Sequence, residues 1–322
     1  MYFSVADVHV NPIIPPLVAF VVSFFTSMGG VSGAFLLLPF QMSVLGFVSP
    51  AVSPTNLIFN IVAIPSGVYR YIREGRMAWP LTWVIIIGTL PGVLIGAIFR
   101  IKYLPDPRAF KLFVGCVLLY IGGRMLYELV KKKGVGKEKI KAMEERFKQR
   151  VSQMRHEQKA RVAAGLSADA VVKTVSASIL RIEYEFYGET YAFNTWVLLL
   201  LTFIVGIIGG TYGIGGGAII APFLITFYSL PVYTIAGSAL MGTFLTSIVG
   251  VGIYTVIAPI YAHTGLAIAP DWKLGILFGI GGTAGMYCGA RAQKFVPSKV
   301  IRCTLGLLIT FLALRYVLQY FY

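Results

Sequence analysis

Apolar runs separated by short polar segments make up most of this 322-residue chain. A helix that crosses a membrane needs about 20 apolar residues. Six runs have that length: 51–72, 79–100, 109–127, 232–258, 273–292 and 299–320. Two further stretches, 13–48 and 196–228, are too long for one helix and contain glycine near the middle. Each of the two predicts a pair of separate helices, one kinked long helix, or a hairpin of two limbs.

The apolar pattern is present twice. Gly30, Gly33, Pro39, Phe40, Leu57, Gly67 and Tyr71 recur 183 positions later as Gly213, Gly216, Pro222, Phe223, Leu240, Gly250 and Tyr254. Each half has a glycine cluster inside its over-long stretch, at Gly29–Gly33 and Gly213–Gly217. Duplicated apolar halves that glycine interrupts at corresponding places are typical of secondary transporters built from repeats.

Composition and charge agree with a membrane protein. The mean hydropathy is +0.77, and 57% of the residues are hydrophobic. The net charge of +15 is concentrated in one block, Lys131–Glu189, and in short loops beside the spans. This distribution indicates orientation signals and contact with the lipid bilayer. It argues against a nucleic-acid partner, since the basic run Lys131–Arg161 contains Phe147 as its only aromatic residue.

The basic loops discriminate between topologies. If each repeat crossed the membrane four times, the loops Arg100–Lys111 and Arg291–Arg302 would both lie outside, against the positive-inside rule. If 13–48 and 196–228 are hairpins, only Arg100–Lys111 conflicts with the rule. We therefore predict an all-α polytopic membrane protein of two inverted-topology repeats. Each repeat is a glycine-broken hairpin plus three transmembrane helices, and both termini are extracytoplasmic.

The basic block predicts a small α+β insertion on the cytoplasmic side. Lys137–Ala164 favours a helix, with apolar residues three or four positions apart. Val171–Phe193 alternates apolar and polar residues and has Gly188 as a turn, which predicts a β-hairpin. The resulting domains are transmembrane repeat 1 (13–128), the insertion (129–192) and transmembrane repeat 2 (193–322). The insertion is either a solvated linker or a regulatory, partner-binding element.

The two glycine breaks are the first candidate substrate site. Unpaired backbone groups in hydrocarbon cost several kcal/mol each, so a helix break persists only where protein or a polar cavity satisfies it. Limbs that begin near Ala34 and Ala218 would point their N-termini, which attract anions, at the breaks. The candidate residues in the breaks are Gly30, Ser32, Gly33, Gly213, Gly215, Gly216 and Gly217.

A second pair of polar interruptions follows the breaks in register, at Ser53–Asn56 and Ala236–Ala239. It adds the candidate residues Thr55, Asn56, Asn60, Gly237, Ser238 and Thr243, whose polar groups could donate to an oxyanion. Helix–helix packing is the alternative role for such small and hydroxyl residues. Packing is the preferred role for the glycines spaced by four residues at Gly88–Gly96 and Gly281–Gly289.

Other kinds of chemistry find little support in the sequence. No Asp or Glu lies in the middle of a span, which disfavours a carboxylate proton relay and a cation substrate. The three cysteines and three histidines lack metal-ligand spacing, so no metal and no cofactor is expected. Gly213–Gly217 follows no soluble strand and so is not a dinucleotide loop. No catalytic constellation is present, and we expect no enzyme activity.

At these residues the chain resembles the TauE/SafE family of sulfite and organosulfur-anion exporters. Gly213–Gly217 followed by Pro222–Leu224 is similar to the family's glycine motif that ends in proline, and Ala236–Leu240 to the small-residue stretch after it. The first copy departs from this pattern at Ser32 and Ala34, which replace Gly215 and Gly217.

The resemblance implies a carrier in the cytoplasmic membrane that exports sulfite, a sulfonate such as sulfoacetate, or a related small anion. The residues would then form a midplane site that works by alternating access. Two alternatives are a carrier or channel for another small solute, and a membrane-anchored sensor that acts through the insertion.

Overall fold

A computed structural model describes residues 1–28, 31–130, 172–178, 180–186, 189–228, 230, 232–292, 296 and 298–321. Its first five helices are α1 (Ile14–Met28), α2 (Ala34–Ser43), α3 (Val52–Arg73), α4 (Trp79–Tyr103) and α5 (Pro107–Val130). The other five are α6 (Thr195–Tyr212), α7 (Ile220–Tyr228), α8 (Val232–Ile257), α9 (Trp272–Ala292) and α10 (Ser298–Phe321). All six runs that the sequence assigns to single spans are therefore helices.

The helices fit a bilayer in length and surface. Among the described residues, Trp79–Tyr103, Thr195–Tyr212, Thr234–Ile257 and Cys303–Phe321 are long and apolar enough to cross a membrane. Helices α3, α5 and α9, with 22, 24 and 21 residues, also have the length of a span. Large apolar side chains such as Leu17, Ile87 and Phe311 point outward from the bundle. The chain is a polytopic membrane protein.

Both over-long apolar stretches are broken at glycine and fold back as hairpins. In the second half, Phe193 just before α6 contacts Tyr228 at the end of α7, with ring centroids 6.0 Å apart. In the first half, the amides of Ala6 and Ala51, on either side of the hairpin, both bond the segment before α9. Their acceptors are Asp271 Oδ2 at 3.4 Å and the Ala267 carbonyl oxygen at 2.9 Å. Each hairpin thus returns to the side from which it starts.

Glycines let helices of different repeats approach to backbone contact. On α4, a Cβ added at Gly92 would collide with the backbone of Phe203 on α6, and one added at Gly96 with that of Ile207. On α9, Gly285 meets Phe20 of α1 in the same way. In each pair, the residue numbers of the contacts rise together along the two helices. Helix α4 therefore runs parallel to α6, and α9 runs parallel to α1. These glycines have the packing role that the sequence analysis preferred.

Equivalent helices of the two repeats pack against each other antiparallel. Along α3 and α8, Leu57 meets Gly250, Asn60 meets Ser247, and Tyr71 meets Gly237. Along α5 and α10, Gly115 meets Tyr316 and Gly122 meets Thr310. Position numbers rise on one helix as they fall on the other. The two helices of each pair therefore run in opposite directions.

The described part of the insertion is a sheet that packs on the helices. Its strands β3 (Lys173–Ala177), β4 (Arg181–Phe186) and β5 (Glu189–Asn194) form an antiparallel meander, one strand more than the predicted hairpin. A small hairpin, β1 (Tyr2–Phe3) and β2 (Val8–His9), precedes α1. The sheet contacts the membrane part where Tyr184 Oη lies 3.0 Å from Thr234 Oγ1 on α8. The predicted helix over 137–164 lies outside the described residues.

Arg100 is not a loop residue. Helix α4 continues to Tyr103, and the Arg100 side chain is fully buried, with its guanidinium carbon 3.7 Å from the centre of the Phe110 ring. The basic loop that conflicts with the positive-inside rule therefore loses one of its charges to the protein interior. Only Leu104–Asp106 separates α4 from α5.

Candidate functional site

The second glycine break is a tight turn that requires glycine at two positions. Gly213 ends α6 with φ of +82°, and its N–H donates to the Gly209 carbonyl oxygen at 2.9 Å. Gly215 has φ of +85°. A side chain at either position would be strained, because L-residues with a Cβ rarely adopt positive φ. The turn also leaves backbone carbonyl groups at membrane depth that need partners from elsewhere in the fold.

Two asparagines of α3 supply those partners. The Asn56 side-chain amide donates to the carbonyl oxygens of Ala34 at 2.9 Å and Gly213 at 3.0 Å. One turn later, the Asn60 amide donates to the Ile214 carbonyl oxygen at 2.9 Å and to Ser247 Oγ at 3.1 Å. Both side chains are fully buried. Asn56 and Asn60 thus join the two glycine breaks through one helix.

Helix α8 closes the other side of the second break. The Gly216 N–H donates to Thr246 Oγ1 at 2.9 Å. A Cβ at Gly217 would collide with the backbone of Ala239, and one at Gly215 would lie 2.9 Å from Ser247 Oγ and from Thr243 Cγ2. Thr243 and Ser247 hydrogen-bond their own helix at the Ala239 and Thr243 carbonyl oxygens. The break is therefore held directly between α3 and α8.

The first break reaches the same centre through Ser32. Ser32 Oγ accepts from the Ala34 N–H at 3.2 Å, at the start of α2, and donates to Asn60 Oδ1. A Cβ at Gly33 would lie 3.0 Å from Ser23 Oγ on α1. Gly33 is the N-cap of α2, and the Ser32 hydroxyl, one position before it, satisfies the free N–H of the first helical residue. Gly30 lies outside the described residues.

Three predicted residues lie away from this centre. Thr55 Oγ1 donates to the Ala51 carbonyl oxygen at 2.7 Å and accepts from the Asp271 N–H at 2.8 Å, near the start of α9. Ser238 Oγ accepts from Thr82 Oγ1 at 2.9 Å, on α4. Gly237 packs against Tyr71. The remaining predicted residues in the described ranges are Ser32, Gly33, Asn56, Asn60, Gly213, Gly215, Gly216, Gly217 and Thr243, and the fold brings these together.

Besides Thr246, described above, the structure adds three polar residues that the sequence analysis did not single out. Gln41 Nε2 of α2 donates to Asn56 Oδ1 at 3.2 Å. Tyr212 Oη at the end of α6 donates to the Phe35 carbonyl oxygen at 2.8 Å, which ties the second break to α2. Ser247 accepts from Asn60, as described above. Each of the three is a polar residue within an apolar run, and that is the signal that the sequence offered.

The centre is closed, polar and free of carboxylates. Ser32, Asn56, Asn60, Thr243 and Ser247 are all fully buried. The chain has no Asp or Glu from residue 8 to 73 or from 190 to 270, which includes both breaks, α3 and α8. Among the described residues, no group of three or more His, Cys, Asp or Glu could hold a metal ion. The polar groups are amides, hydroxyls and backbone N–H groups, which favour an uncharged or anionic ligand over a cation.

Two N–H groups of the centre are capped by hydroxyl oxygens. Ser32 caps the N–H of Ala34, and Thr246 caps that of Gly216. Thr246 also reaches the Gly242 and Thr243 carbonyl oxygens, at 2.7 and 3.1 Å. Each hydroxyl group can rotate and bond elsewhere. An oxyanion could therefore replace the hydroxyl oxygen as the acceptor of the N–H, and the hydroxyl would still have a partner. Both N–H groups lie where a helix limb starts, at α2 and just before α7.

A family model described as sulfite exporter TauE/SafE matches residues 16–316 of the chain. The match includes both glycine breaks, all of α3 and all of α8. Neither a curated protein nor a solved structure matches the chain.

Proposed function

The chain belongs to the TauE/SafE family of sulfite exporters, and on that premise we propose that it is a secondary transporter rather than an enzyme. It exports a small sulfur-containing oxyanion, such as sulfite, sulfoacetate or a related organosulfonate, by alternating access. The membrane is the cytoplasmic one, with the loop Arg70–Arg76 and the insertion on the cytoplasmic side.

The observation that carries the proposal is the pair of hydroxyl-capped N–H groups, Ala34 with Ser32 and Gly216 with Thr246. Each N–H keeps a neutral partner while the site is empty. When substrate arrives, an anionic oxygen replaces the hydroxyl and gains the stronger charge-assisted hydrogen bond. The positive end of a helix limb adds to this attraction. Binding in this way needs no fixed positive charge at the midplane.

The substrate class follows from the same groups. The backbone N–H groups of Ala34 and Gly216 recognise oxygen atoms, and a three-oxygen sulfur group offers several acceptors within a small volume. No carboxylate in the region repels an anion. A proton or a metal ion, by contrast, would lack a titratable or ligating residue at this depth.

Alternating access is supported by the way the halves meet. Equivalent helices α3 and α8 pack antiparallel, as inverted repeats do. The second break is held on one face by Asn56 and Asn60 of α3 and on the other by Thr246 of α8. Release of one set of contacts at a time would open the closed centre toward one side of the membrane. The glycine turns are where such a movement would hinge.

Sulfite flux in proteoliposomes tests the proposal. Radiolabelled sulfite would be followed with sulfoacetate, taurine, sulfate and acetate as competitors. Saturable flux that sulfoacetate blocks and acetate does not would support an organosulfur-anion carrier. Absence of flux under imposed Na⁺, proton and voltage gradients would contradict it.

A matched pair of variants links flux to the site. Ser32→Ala removes one rotating cap, and we expect it to lower flux, because the Ala34 N–H loses its partner in the empty state. Ser66→Ala removes a hydroxyl of α3 that, among the described residues, bonds only the Ala63 and Thr283 carbonyl oxygens, away from the breaks. We expect that control to transport like the unmodified protein. Equal flux in both variants would argue against a role for the caps.

A further inference from the structure

Arg100 is a buried cation whose guanidinium is only partly satisfied. The side chain is fully buried at the end of α4. It donates from Nη1 to the Leu104 carbonyl oxygen and stacks on the Phe110 ring at 3.7 Å. Within the described residues, Arg100 Nε and Nη2 have no hydrogen-bond partner, and no salt bridge to Arg100 is present.

A buried arginine without a counter-ion destabilises the protein, so an anion that binds it would be favoured. Removing such a charge from water carries a large free-energy penalty even after the protein relaxes. A stacked aromatic ring offsets only part of that penalty. One hydrogen bond to the end of its own helix satisfies one of the five N–H groups. The contacts of the described residues therefore leave a cation with two free nitrogen atoms.

A comparison with Arg76 shows the difference. Tyr71 and Tyr254 are equivalent in the two repeats, both are fully buried, and each lies beside a buried arginine. Arg76 lies over the Tyr71 ring at 4.6 Å and forms a salt bridge with Glu74 at 2.6 Å. Arg100, beside Tyr254, has no such carboxylate in the described structure. At one end the chain supplies the anion itself, and at the other end none of the described residues does.

The free side of Arg100 is connected to the second glycine break. The Tyr254 hydroxyl is buried and has no hydrogen-bond partner among the described residues, and Arg100 and Ser53 are polar groups in its surroundings. Ser53 Oγ donates to the Tyr212 carbonyl oxygen at 3.4 Å, and a Cβ at Gly213 would lie 2.8 Å from Ser53 Oγ. A line of buried polar groups thus leads from the turn at Gly213, through Ser53 and Tyr254, to Arg100. The hydrophobic residues Leu57, Ala97, Ile101 and Val251 pack in one buried cluster with Tyr254.

We propose that Arg100, with the hydroxyl groups of Tyr254 and Ser53, forms a second anion site. This site binds the transported oxyanion between the centre at the two glycine breaks and the end of α4. The inference rests on the proposed function for the identity of the anion. A planar guanidinium with Nε and Nη2 free can bind an oxyanion through two parallel hydrogen bonds. Because Arg76, the buried arginine beside Tyr71, is already paired with Glu74, the described residues offer such a site at one end only. This site lies toward the loop between α4 and α5.

Equilibrium binding of radiolabelled sulfite to the purified full chain in detergent tests this. The unmodified protein should bind two sulfite ions. Arg100→Gln should bind one, with the affinity of the remaining site unchanged. Arg108→Gln, which removes an exposed charge at the same end of the molecule, should still bind two. Tyr254→Phe keeps the bulk of the ring and should weaken only the second site, by roughly tenfold for one lost hydrogen bond to a charged ligand.

The outcomes separate the inference from the function on which it rests. A single site in the unmodified protein, unaffected by Arg100→Gln and Tyr254→Phe, would overturn the second site and leave the proposed transport intact. An unmodified protein that neither binds nor transports sulfite would overturn both. If Arg100→Gln does not fold, Tyr254→Phe alone decides. Two sites of unchanged affinity in Tyr254→Phe would then count against the inference.

Discussion

The side-chain amide of Asn60 donates a 2.9 Å hydrogen bond to the carbonyl oxygen of Ile214, 154 residues further along the chain. The same nitrogen donates to Ser247 Oγ at 3.1 Å, and Asn60 Oδ1 accepts from Ser32. One side chain thus bonds to the first glycine break, the second glycine break and α8. Because the region is fully buried, water cannot replace the Asn60 amide. Its loss would leave the Ile214 carbonyl and the Ser32 and Ser247 hydroxyls with one hydrogen bond fewer.

Asn60→Ala should therefore impair both stability and transport. Leaving a buried carbonyl or hydroxyl unpaired costs about 1–3 kcal/mol, and the two breaks lose their shared partner. The melting temperature in detergent and sulfite flux in proteoliposomes would be measured together. Thr255→Val on α8 is the control, since within the described part of the chain the Thr255 hydroxyl bonds only the Val251 carbonyl oxygen of the same helix. An Asn60→Ala protein as stable and active as this control would contradict the assignment.

Gly216→Ala should reduce flux through a steric clash. A Cβ at Gly216 would lie 2.5 Å from Thr89 Cβ on α4, so the turn or α4 must move. Overpacking of this kind costs about 1–3 kcal/mol. The double variant Gly216→Ala with Thr89→Gly should recover part of the flux, because the clashing atoms are gone. Gly252→Ala, where a Cβ meets nothing within 4 Å, should behave like the unmodified protein. Failure of the second change to restore any flux would argue that Gly216 acts by another means.

Gly92→Leu should disrupt the contact between α4 and α6. A Cβ at this position would collide with the Phe203 backbone and lie 2.8 Å from the Ile207 N atom, and backbone cannot move aside as a side chain can. We expect a large fall in folded yield and melting temperature. Gly123→Leu adds the same bulk where nothing lies within 4 Å and should be tolerated. Comparable yields of the two variants would show that α4 and α6 do not need this close approach.

Cysteine labelling tests the orientation of the two repeats. With Cys116, Cys288 and Cys303 replaced by alanine, a single cysteine would be placed at His263, in the loop after α8, or at Arg73, at the end of α3. Both positions are exposed. A membrane-impermeant maleimide added to intact cells should label the cysteine at 263 and leave the one at 73 unlabelled until the membrane is opened. Labelling of both in intact cells would contradict the inverted arrangement.

Tyr184 gives a prediction for pH. Burial raises the pKa of Tyr184 above its usual value of about 10. The folded protein thus holds this proton to higher pH than the unfolded chain does. The resulting stability is complete below about pH 10 and declines as pH rises further. Tyr184→Phe loses the 3.0 Å hydrogen bond to Thr234, which costs about 0.5–1.5 kcal/mol at neutral pH.

The readout is the melting temperature of the two proteins from pH 8 to 11. The advantage of the unmodified protein over Tyr184→Phe should shrink above pH 10. Tyr69→Phe, which alters an exposed tyrosine, should show no such convergence. A constant difference across the whole pH range would contradict the coupling of Tyr184 ionisation to folding.

Much of the candidate site could be predicted from the alignment of the two halves. The glycine breaks, Asn56 and Asn60 stood out because polar or glycine residues interrupt apolar runs, and such interruptions need partners in a membrane. Thr55 and Ser238 met the same criterion, yet the structure pairs them with Asp271 and Thr82. From the sequence, a hydroxyl group in a transmembrane helix can be predicted to need a hydrogen-bond partner, but the partner cannot be identified. The sequence-based prediction does not include Gln41, which lies inside a broken apolar stretch. It also does not include Arg100, which it assigns to a loop.

The sequence by itself determined the spans, the two breaks and the repeat. Lipid cannot bond backbone groups, so helices of about 20 apolar residues are required, and glycine is needed where they break. Only the tertiary structure decided which polar groups meet. The bond from Asn60 to Ile214 and the burial of Arg100 against Phe110 depend on how α3, α4, α5 and α8 are rotated and shifted against one another. Glycine contacts between helices set these rotations and shifts. The sequence of a single helix does not specify them, because they depend on the neighbouring helices.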